Sequence, residues 1–358
     1  MGEPSAEESA IELRKREHLA PFRDGSVAAA VTQSWLDRIL LIHQALPELD
    51  LAEIRLESDF VGRTFKAPLM ITGMTGGTRE ARQINRDLAW AAEKMGVGFG
   101  LGSQRAMIAQ TDLGASYRVR DVAPHVFLAG NIGGTQLAAT PLDRLRRALD
   151  EVGADALCVH LNAAQELAQP EGDRDWRGVA QAISRVVREI DLPVIVKEVG
   201  CGLSREVGAR LVELGVGHAD IAGAGGTDFV ALELDRRGTK QAPELDPFRG
   251  WGIPTAAALM ELAHLDLTLI ASGGVRSGLD VARAIAAGAT LAGIAAPVLE
   301  AWFRGGRDEV VATLERICDG LRAAMMLTGS RSVDDLRGAP RVITGSLRDW
   351  CRERGVMR

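Results

Sequence analysis

Between residues 68 and 297 the chain repeats one pattern eight times. A short apolar run ends in a glycine-rich or polar turn, and a stretch with helical spacing follows. The runs are Pro68–Thr72, Val97–Leu101, Val126–Ala129, Asp155–Val159, Pro193–Val196, His218–Ile221, Leu267–Ile270 and Thr290–Ile294. Continuous apolar runs of this length read as strands buried on both faces, and their alternation with helices predicts a parallel sheet. Eight such units favour an α/β fold of the (β/α)8 barrel type over an open sheet.

The flanks carry less pattern. Residues 1–66 read as an N-terminal arm and decoration, with Ile39–Ile42, Leu46, Leu49, Leu51, Ile54 and Leu56 as its apolar positions. The barrel is expected over 67–328, with a helix after its first turn to about Met95 and a closing helix over 307–328. Residues 329–358 read as a C-terminal tail. The polar, Gly- and Pro-containing segment 228–252 reads as a long loop, either a lid or mobile.

The turns hold the candidate chemistry, because barrel enzymes work at the carboxyl ends of their strands. Thr75, Ser103 and Asn131 follow the first three runs amid glycine. That composition suits a flat heterocycle that needs donors, acceptors and close backbone approach. Gly223–Thr227, Ser272–Gly278 and Ala295-Ala296-Pro297 follow runs six to eight, where glycine N–H groups and a helix start commonly hold phosphate. Together these point to flavin mononucleotide (FMN). No strand–GxGxxG–helix unit with a downstream acid suggests a dinucleotide.

The fourth turn, His160–Glu166, crowds four polar side chains. Glu166 reads either as a first-turn acid of the next helix or as an oxygen ligand for magnesium. Lys197 ends the fifth run. It is open between a Schiff-base nucleophile and a fixed positive charge beside an anionic cofactor. Cys201 has no histidine nearby in sequence and reads as structural.

Composition narrows the function class. The net charge of −6 leaves no electrostatic footprint for nucleic acid or an anionic membrane. No apolar segment reaches the roughly 20 residues that span a bilayer. The acidic start MGEPSAEESA lacks a signal-peptide pattern. The four cysteines show no metal spacing and fit a reduced compartment, so a cytoplasmic location is expected. The 40 glycines and 4% aromatics fit tight turns better than an aromatic nucleic-acid platform.

These motifs together resemble the type 2, flavin-dependent isopentenyl-diphosphate isomerases. The matching pieces are Arg14-Lys15-x-x-His18, Met74-Thr75-Gly76-Gly77, Gly102-Ser103-Gln104-Arg105 and Asn131-Ile132-Gly133. They continue with His160-x-Asn162-x-x-Gln165-Glu166, Val196–Gly200, Gly225-Gly226-Thr227, Ala271-Ser272-Gly273-Gly274-x-Arg276 and Gly293-Ile294-Ala295-x-Pro297. HxNxxQE and RKxxH are the specific elements; the strand-seven glycines are common to many FMN barrels.

The resemblance implies reduced FMN bound by Gly73, Met74, Thr75, Ser103, Asn131, Lys197, Ala222, Thr227, Gly274, Arg276, Ala295 and Ala296. It implies an isoprenoid diphosphate substrate against Arg14, Lys15, His18, Ser103, Arg105, His160 and Asn162. Gln165 and His160 would be the catalytic side chains, with Gln165 beside the isoprenoid carbons. Glu166 would bind Mg2+, NADPH would reduce the flavin, and Lys197 would serve as a charge. Ala222 stands where the family usually has serine, and Asp228-Phe229 where Ser-Trp is expected. A homo-oligomer is expected. The rivals are an FMN-dependent 2-hydroxy-acid oxidase, a lysine Schiff-base aldolase and a non-catalytic flavin-binding paralogue.

Overall fold

The computed structural model describes residues 17–25, 32–109, 111–237 and 242–356. Eight strands form a closed barrel: Leu69–Ile71 (β1), Gly98–Gly100 (β2), Leu128–Gly133 (β3), Ala156–His160 (β4), Val194–Lys197 (β5), His218–Asp220 (β6), Thr268–Ala271 (β7) and Leu291–Ile294 (β8). All neighbours are parallel, and β8 returns to β1 in the register Ala292↔Leu69, Gly293↔Met70 and Ile294↔Ile71. Surrounding helices cover the outer face, so the chain is a (β/α)8 barrel.

The eight strands fall where the apolar runs lie, with one informative shift. The third run extends through the expected turn, so Asn131 lies inside β3 opposite Cys158. Gly130, Asn131 and Gly133 read as a turn by composition. They are strand because the small residues let β3 pair with β4 over five positions, from Ala129↔Ala156 to Gly133↔His160.

The first barrel helix, Arg79–Met95, starts where the Thr78 hydroxyl accepts the Ala81 N–H and stops at Gly96. Ile84, Leu88 and Ala92 are buried at helical spacing. The closing helix is longer than expected. It runs from Ala296 to Thr328 and bends at Gly305 and Gly306, so the expected 307–328 is only its second arm.

The base of the barrel is plugged. Ser58–Phe60 and Arg63–Phe65 form an antiparallel hairpin. Phe60 meets Phe65, Phe127 and His218 edge-on, with ring centroids 6.1, 5.9 and 5.5 Å apart. Above them Met70, Ala129, Ala156, Ile195, Ile270 and Leu291 fill the interior.

The C-terminal residues are folded against the barrel. Arg341–Ile343 pairs antiparallel with Ile39–Leu41. The helix Gly345–Glu353 follows, and buried Glu261 accepts Trp350 Nε1 at 2.7 Å and Arg354 Nε at 2.8 Å.

The segment 228–252 is not a plain loop. It holds the helix Phe229–Arg237 and the 3-10 turn Pro243–Phe248; residues 238–241 lie outside the described part. Asp228 explains the order: its carboxylate accepts the Ala231 N–H at 3.0 Å and the Gly250 N–H at 2.6 Å. Pro243 opens the 3-10 turn and Gly250 follows it, while Pro247 lies within it. Among the described residues, no helix is long and apolar enough to cross a membrane.

Candidate active site

A cavity of about 1720 Å³, counting its open mouth, lies at the carboxyl ends of the barrel strands. Gly73, Met74, Thr75, Ser103, Arg105, Asn131, His160, Asn162, Gln165, Glu166 and Lys197 line it. So do His18, Ala222, Thr227, Gly274, Arg276, Ala295 and Ala296. Arg14 and Lys15 lie outside the described residues. Turns as far apart in sequence as Gly73 and Ala295 thus meet at one mouth, as a barrel requires.

The floor is polar. Lys197 ends β5 with its side chain buried, and Nζ donates to the Glu198 carbonyl at 2.5 Å. Asp220, buried at the end of β6, faces Nζ with Oδ2 at 3.9 Å. Ser272, just past β7, donates its hydroxyl to Asp220 Oδ1 at 2.6 Å. Burial leaves the Asp220 pKa above its ordinary value, and Lys197, Ser272 and the Ala222 N–H offset only part of that rise.

One wall is built on β3 and β4. Asn131 Oδ1 lies 2.8 Å from His160 Nδ1, and Asn131 Nδ2 donates to the Leu101 carbonyl at 3.0 Å. The amide therefore ties the imidazole to β2. With the amide oriented this way Nδ1 is the donor, which turns Nε2 away from Asn131. Beyond β4, Asn162 opens the short helix Ala163–Ala168. Its Nδ2 donates to Gln165 Oε1 at 3.2 Å and to Glu166 Oε1 at 3.0 Å. Glu166 Oε2 accepts the Asp173 N–H at 2.7 Å.

The mouth is roofed by two helices that the sequence reading did not connect. Residues 17–24 are helical, and His18, Leu19 and Phe22 face the cavity. Phe229–Arg237 meets them through Glu233, which is fully buried. Glu233 Oε1 lies 2.8 Å from His18 Nε2 and accepts Gln169 Nε2 at 2.6 Å and Gln165 Nε2 at 3.2 Å. Its Oε2 accepts Arg236 Nε at 2.8 Å. Burial pushes the Glu233 pKa up, but His18, Gln169 and Arg236 together hold it down at about 2.

Glu233 had a readable signal. It stands three residues after Val230 and beside Leu234, both buried, so it lies on the apolar face of its helix. Asp220 had one too, as a lone acid inside an apolar strand.

The opposite end of the cavity is shaped for an anion. The helix Ala296–Thr328 begins there with no side-chain cap at Ala295. By contrast Ser277 and Asp280 form a capping box on the neighbouring helix Gly278–Ala286. An uncapped helix start leaves N–H groups for a ligand. Arg276 reaches back to the Gly225 and Gly274 carbonyls at 3.1 and 3.4 Å.

Gly273, at φ 100°, packs directly on the turn after β6. A Cβ there would overlap the Gly223 carbonyl and lie 2.7 Å from both Gly223 N and Thr255 Oγ1. Two turns can share the anion end only because this residue has no side chain.

Two buried polar atoms of the cavity have no hydrogen-bond partner among the described residues: Thr75 Oγ1 and Asn162 Oδ1. Such atoms cost stability unless a ligand satisfies them. With the glycine-lined turns, the uncapped helix and Lys197, they fit a flat phosphate-bearing cofactor. Ala222 lines the same region with a methyl group at φ 40°, so it offers no hydroxyl. For a divalent cation the fit is narrower. Among the described residues no group of three His, Cys, Asp or Glu side chains could hold a metal. Glu166 is a single carboxylate, which suffices for magnesium only when phosphate oxygens and water complete the shell.

The FMN-dependent dehydrogenase family matches residues 159–343. Isopentenyl-diphosphate delta-isomerase of Pyrococcus abyssi is 44% identical over 353 residues, covering 96% of this chain and 95% of that protein. The enzyme of that name from Pseudescherichia vulneris is 44% identical over 331 residues, covering 91% and 95%. A mandelate oxidase variant with a monooxide FMN adduct shares the fold at 20% identity, with a TM-score of 0.63 over 94% of this chain and 100% of that one. Identity this high over nearly the whole length places the chain within the type 2, FMN-dependent family of isopentenyl-diphosphate delta-isomerases.

Proposed function

We propose that the protein converts isopentenyl diphosphate to dimethylallyl diphosphate, with reduced FMN and Mg2+ bound at the barrel mouth and NADPH as the flavin reductant. The observation that carries this reading is the turn after β4. His160, Asn162, Gln165 and Glu166 line the same cavity as Lys197, beneath a roof of helices. A cytoplasmic location and a homo-oligomeric state go with it as part of the proposal.

FMN would be held by the turns after β1 to β3, by Lys197, and by Thr227, Gly274, Arg276, Ala295 and Ala296. When reduced, it supplies a proton donor and acceptor, with no net oxidation of the substrate. The protein's own work is to hold the substrate and keep water out. Arg105, Ser103 and His160 would take the diphosphate, with Arg14, Lys15 and His18 closing from the arm. Glu166 would contribute one oxygen to Mg2+ shared with the diphosphate.

The reaction adds a proton at the terminal alkene carbon and removes one at C2. The tertiary cation between these events is quenched by water, so exclusion is a requirement. Leu19, Phe22 and Phe229 supply apolar walls for that purpose. Gln165 is held by Glu233, which sets its amide beside the carbon chain. Lys197 favours an anionic neighbour by Coulomb attraction.

A 2-hydroxy-acid oxidase would need a base histidine at the strand-six turn. His218 instead starts β6 and packs on Phe60 at the plugged end. Incubation with reduced FMN, Mg2+ and isopentenyl diphosphate in D2O tests the reading. Dimethylallyl diphosphate carrying deuterium is expected. Absence of both product and deuterium wash-in overturns it, and a purified protein that binds no FMN overturns the cofactor assignment.

A further inference from the structure

Asp220 has no part in the reaction as described above, yet the fold fixes it with care. β6 pairs with β5 so that Asp220 lies beside Lys197, and with β7 so that it lies beside Ile270. Its Oδ1 accepts the Ser272 hydroxyl at 2.6 Å and the Ala222 N–H at 3.3 Å. Its Oδ2 faces Lys197 Nζ at 3.9 Å, while Nζ donates to the Glu198 carbonyl. The ammonium is thus held from two sides, by a carbonyl and by a carboxylate.

Among the other ionisable groups around the pair, Glu198 also attracts Lys197, but from a carboxylate fixed on backbone N–H groups. Cys158 on β4 has its thiol pushed up to about 12 by burial, so it carries no charge at neutral pH. His160, also on β4, is engaged by Asn131. Glu198 spends its carboxylate on the N–H groups of Val199, Gly200 and Cys201, at 2.6, 2.7 and 2.5 Å.

A buried ion pair whose charges stand 3.9 Å apart adds little stability, because desolvation consumes the Coulomb gain. A buried ammonium without its counter-charge, however, would leave the floor. We propose that Asp220 is a positioning residue: it holds Lys197 Nζ on the floor and aimed into the cavity, so that the Lys197–Asp220 pair, and not the lysine alone, sets the electrostatic field on the cofactor ring. The effect on the cofactor rests on the FMN reading above; the coupling of the two side chains does not.

The first arm of the test uses the protein without flavin. Lys197 is reductively methylated across a pH series and quantified by mass spectrometry in wild type, Asp220→Asn, Asp220→Glu and Ser272→Ala. Asp220→Asn is expected to speed Lys197 modification at least tenfold at pH 8. Asp220→Glu should restore slow modification, and Ser272→Ala should fall between. An unchanged rate in folded Asp220→Asn overturns the proposal. Should that variant fail to fold, Ser272→Ala with wild-type behaviour overturns it equally.

The second arm measures the midpoint potential of bound FMN. Asp220→Asn, by withdrawing the Lys197 charge from the ring, should move the oxidised–reduced equilibrium about tenfold toward oxidised flavin, or about 30 mV for a two-electron couple. In a Lys197→Gln background the same substitution should shift it less than half as far. Equal shifts in both backgrounds would mean that Asp220 acts on the flavin directly, and would overturn the positioning role. Failure to bind FMN at all defeats the cofactor assignment and leaves the methylation arm to decide the pair.

Discussion

His18 Nε2 lies 2.8 Å from Glu233 Oε1, joining the N-terminal helix to the helix after β6 across the barrel mouth. The carboxylate also receives Gln165, Gln169 and Arg236. One buried side chain therefore joins the roof to the Gln165 amide. Glu233→Gln keeps the shape and removes the charge. It is expected to lower kcat/KM for isopentenyl diphosphate by roughly 10- to 100-fold, the range for losing one buried charged partner. FMN affinity, set on the floor, should stay within about threefold. Steady-state kinetics and flavin titration check both.

The same residue gives a pH dependence whose sign follows from its environment. Glu233 is held at about 2, below its ordinary value of 4.5. Its stabilising contribution is therefore complete above pH 4.5 and fades as pH falls toward 2. By linkage this is on the order of 3 kcal/mol. The Tm difference between wild type and Glu233→Gln should be large at pH 6 and shrink steadily between pH 4.5 and 2. A constant difference would show that the charge is not what stabilises the roof.

Thr75→Val separates structure from binding. The hydroxyl has no partner among the described residues, so its loss should leave the Tm of the flavin-free protein unchanged or slightly higher. FMN should bind about tenfold more weakly, the value of one buried hydrogen bond. A variant that binds FMN as wild type does would remove Thr75 from the cofactor site.

Glu166→Gln addresses the metal. Its oxygens accept Asn162 Nδ2 and the Asp173 N–H, and the amide can satisfy only part of that set. The Mg2+ concentration for half-maximal activity should rise by about tenfold or more, since in the proposed site one carboxylate would be the protein's share of the shell. Activity against Mg2+ concentration at fixed substrate measures this.

Gly273→Ala should disturb the anion end. The added Cβ meets the Gly223 backbone and Thr255 Oγ1, at a φ of 100° that alanine adopts only with strain. A loss of about 1–3 kcal/mol in stability is expected, with weaker FMN binding. Thermal melts with and without FMN distinguish the two effects.

The barrel was legible because its strands are apolar on both faces, and a buried parallel strand has no other way to look. Asn131 was harder to place. Glycine and asparagine read as turn, and only pairing with β4 shows that they continue a strand. The turn residues of the cavity could be gathered from the repeat alone, since every strand end opens on the same mouth. Glu233 and Asp220 were missed for a common reason. Each is an acid on an apolar face, and its partners include residues 52 positions away for Asp220 and 64 to 215 positions away for Glu233. A helical position for Glu233 was hidden by the Pro and Gly residues of 228–252, whose role as punctuation depends on Asp228 reaching Gly250.

The aromatic plug formed by Phe60, Phe65 and Phe127 has a kinetic meaning. A vessel stopped at one end fills and empties through the other. Whatever lies deepest must load first and depart last, and anything above it locks it in. Under the proposed function, a cofactor on the Lys197 floor would exchange only between turnovers, and its dissociation should slow as substrate accumulates. Phe60, at the far end of the barrel, would bear on the order of binding by denying a second door.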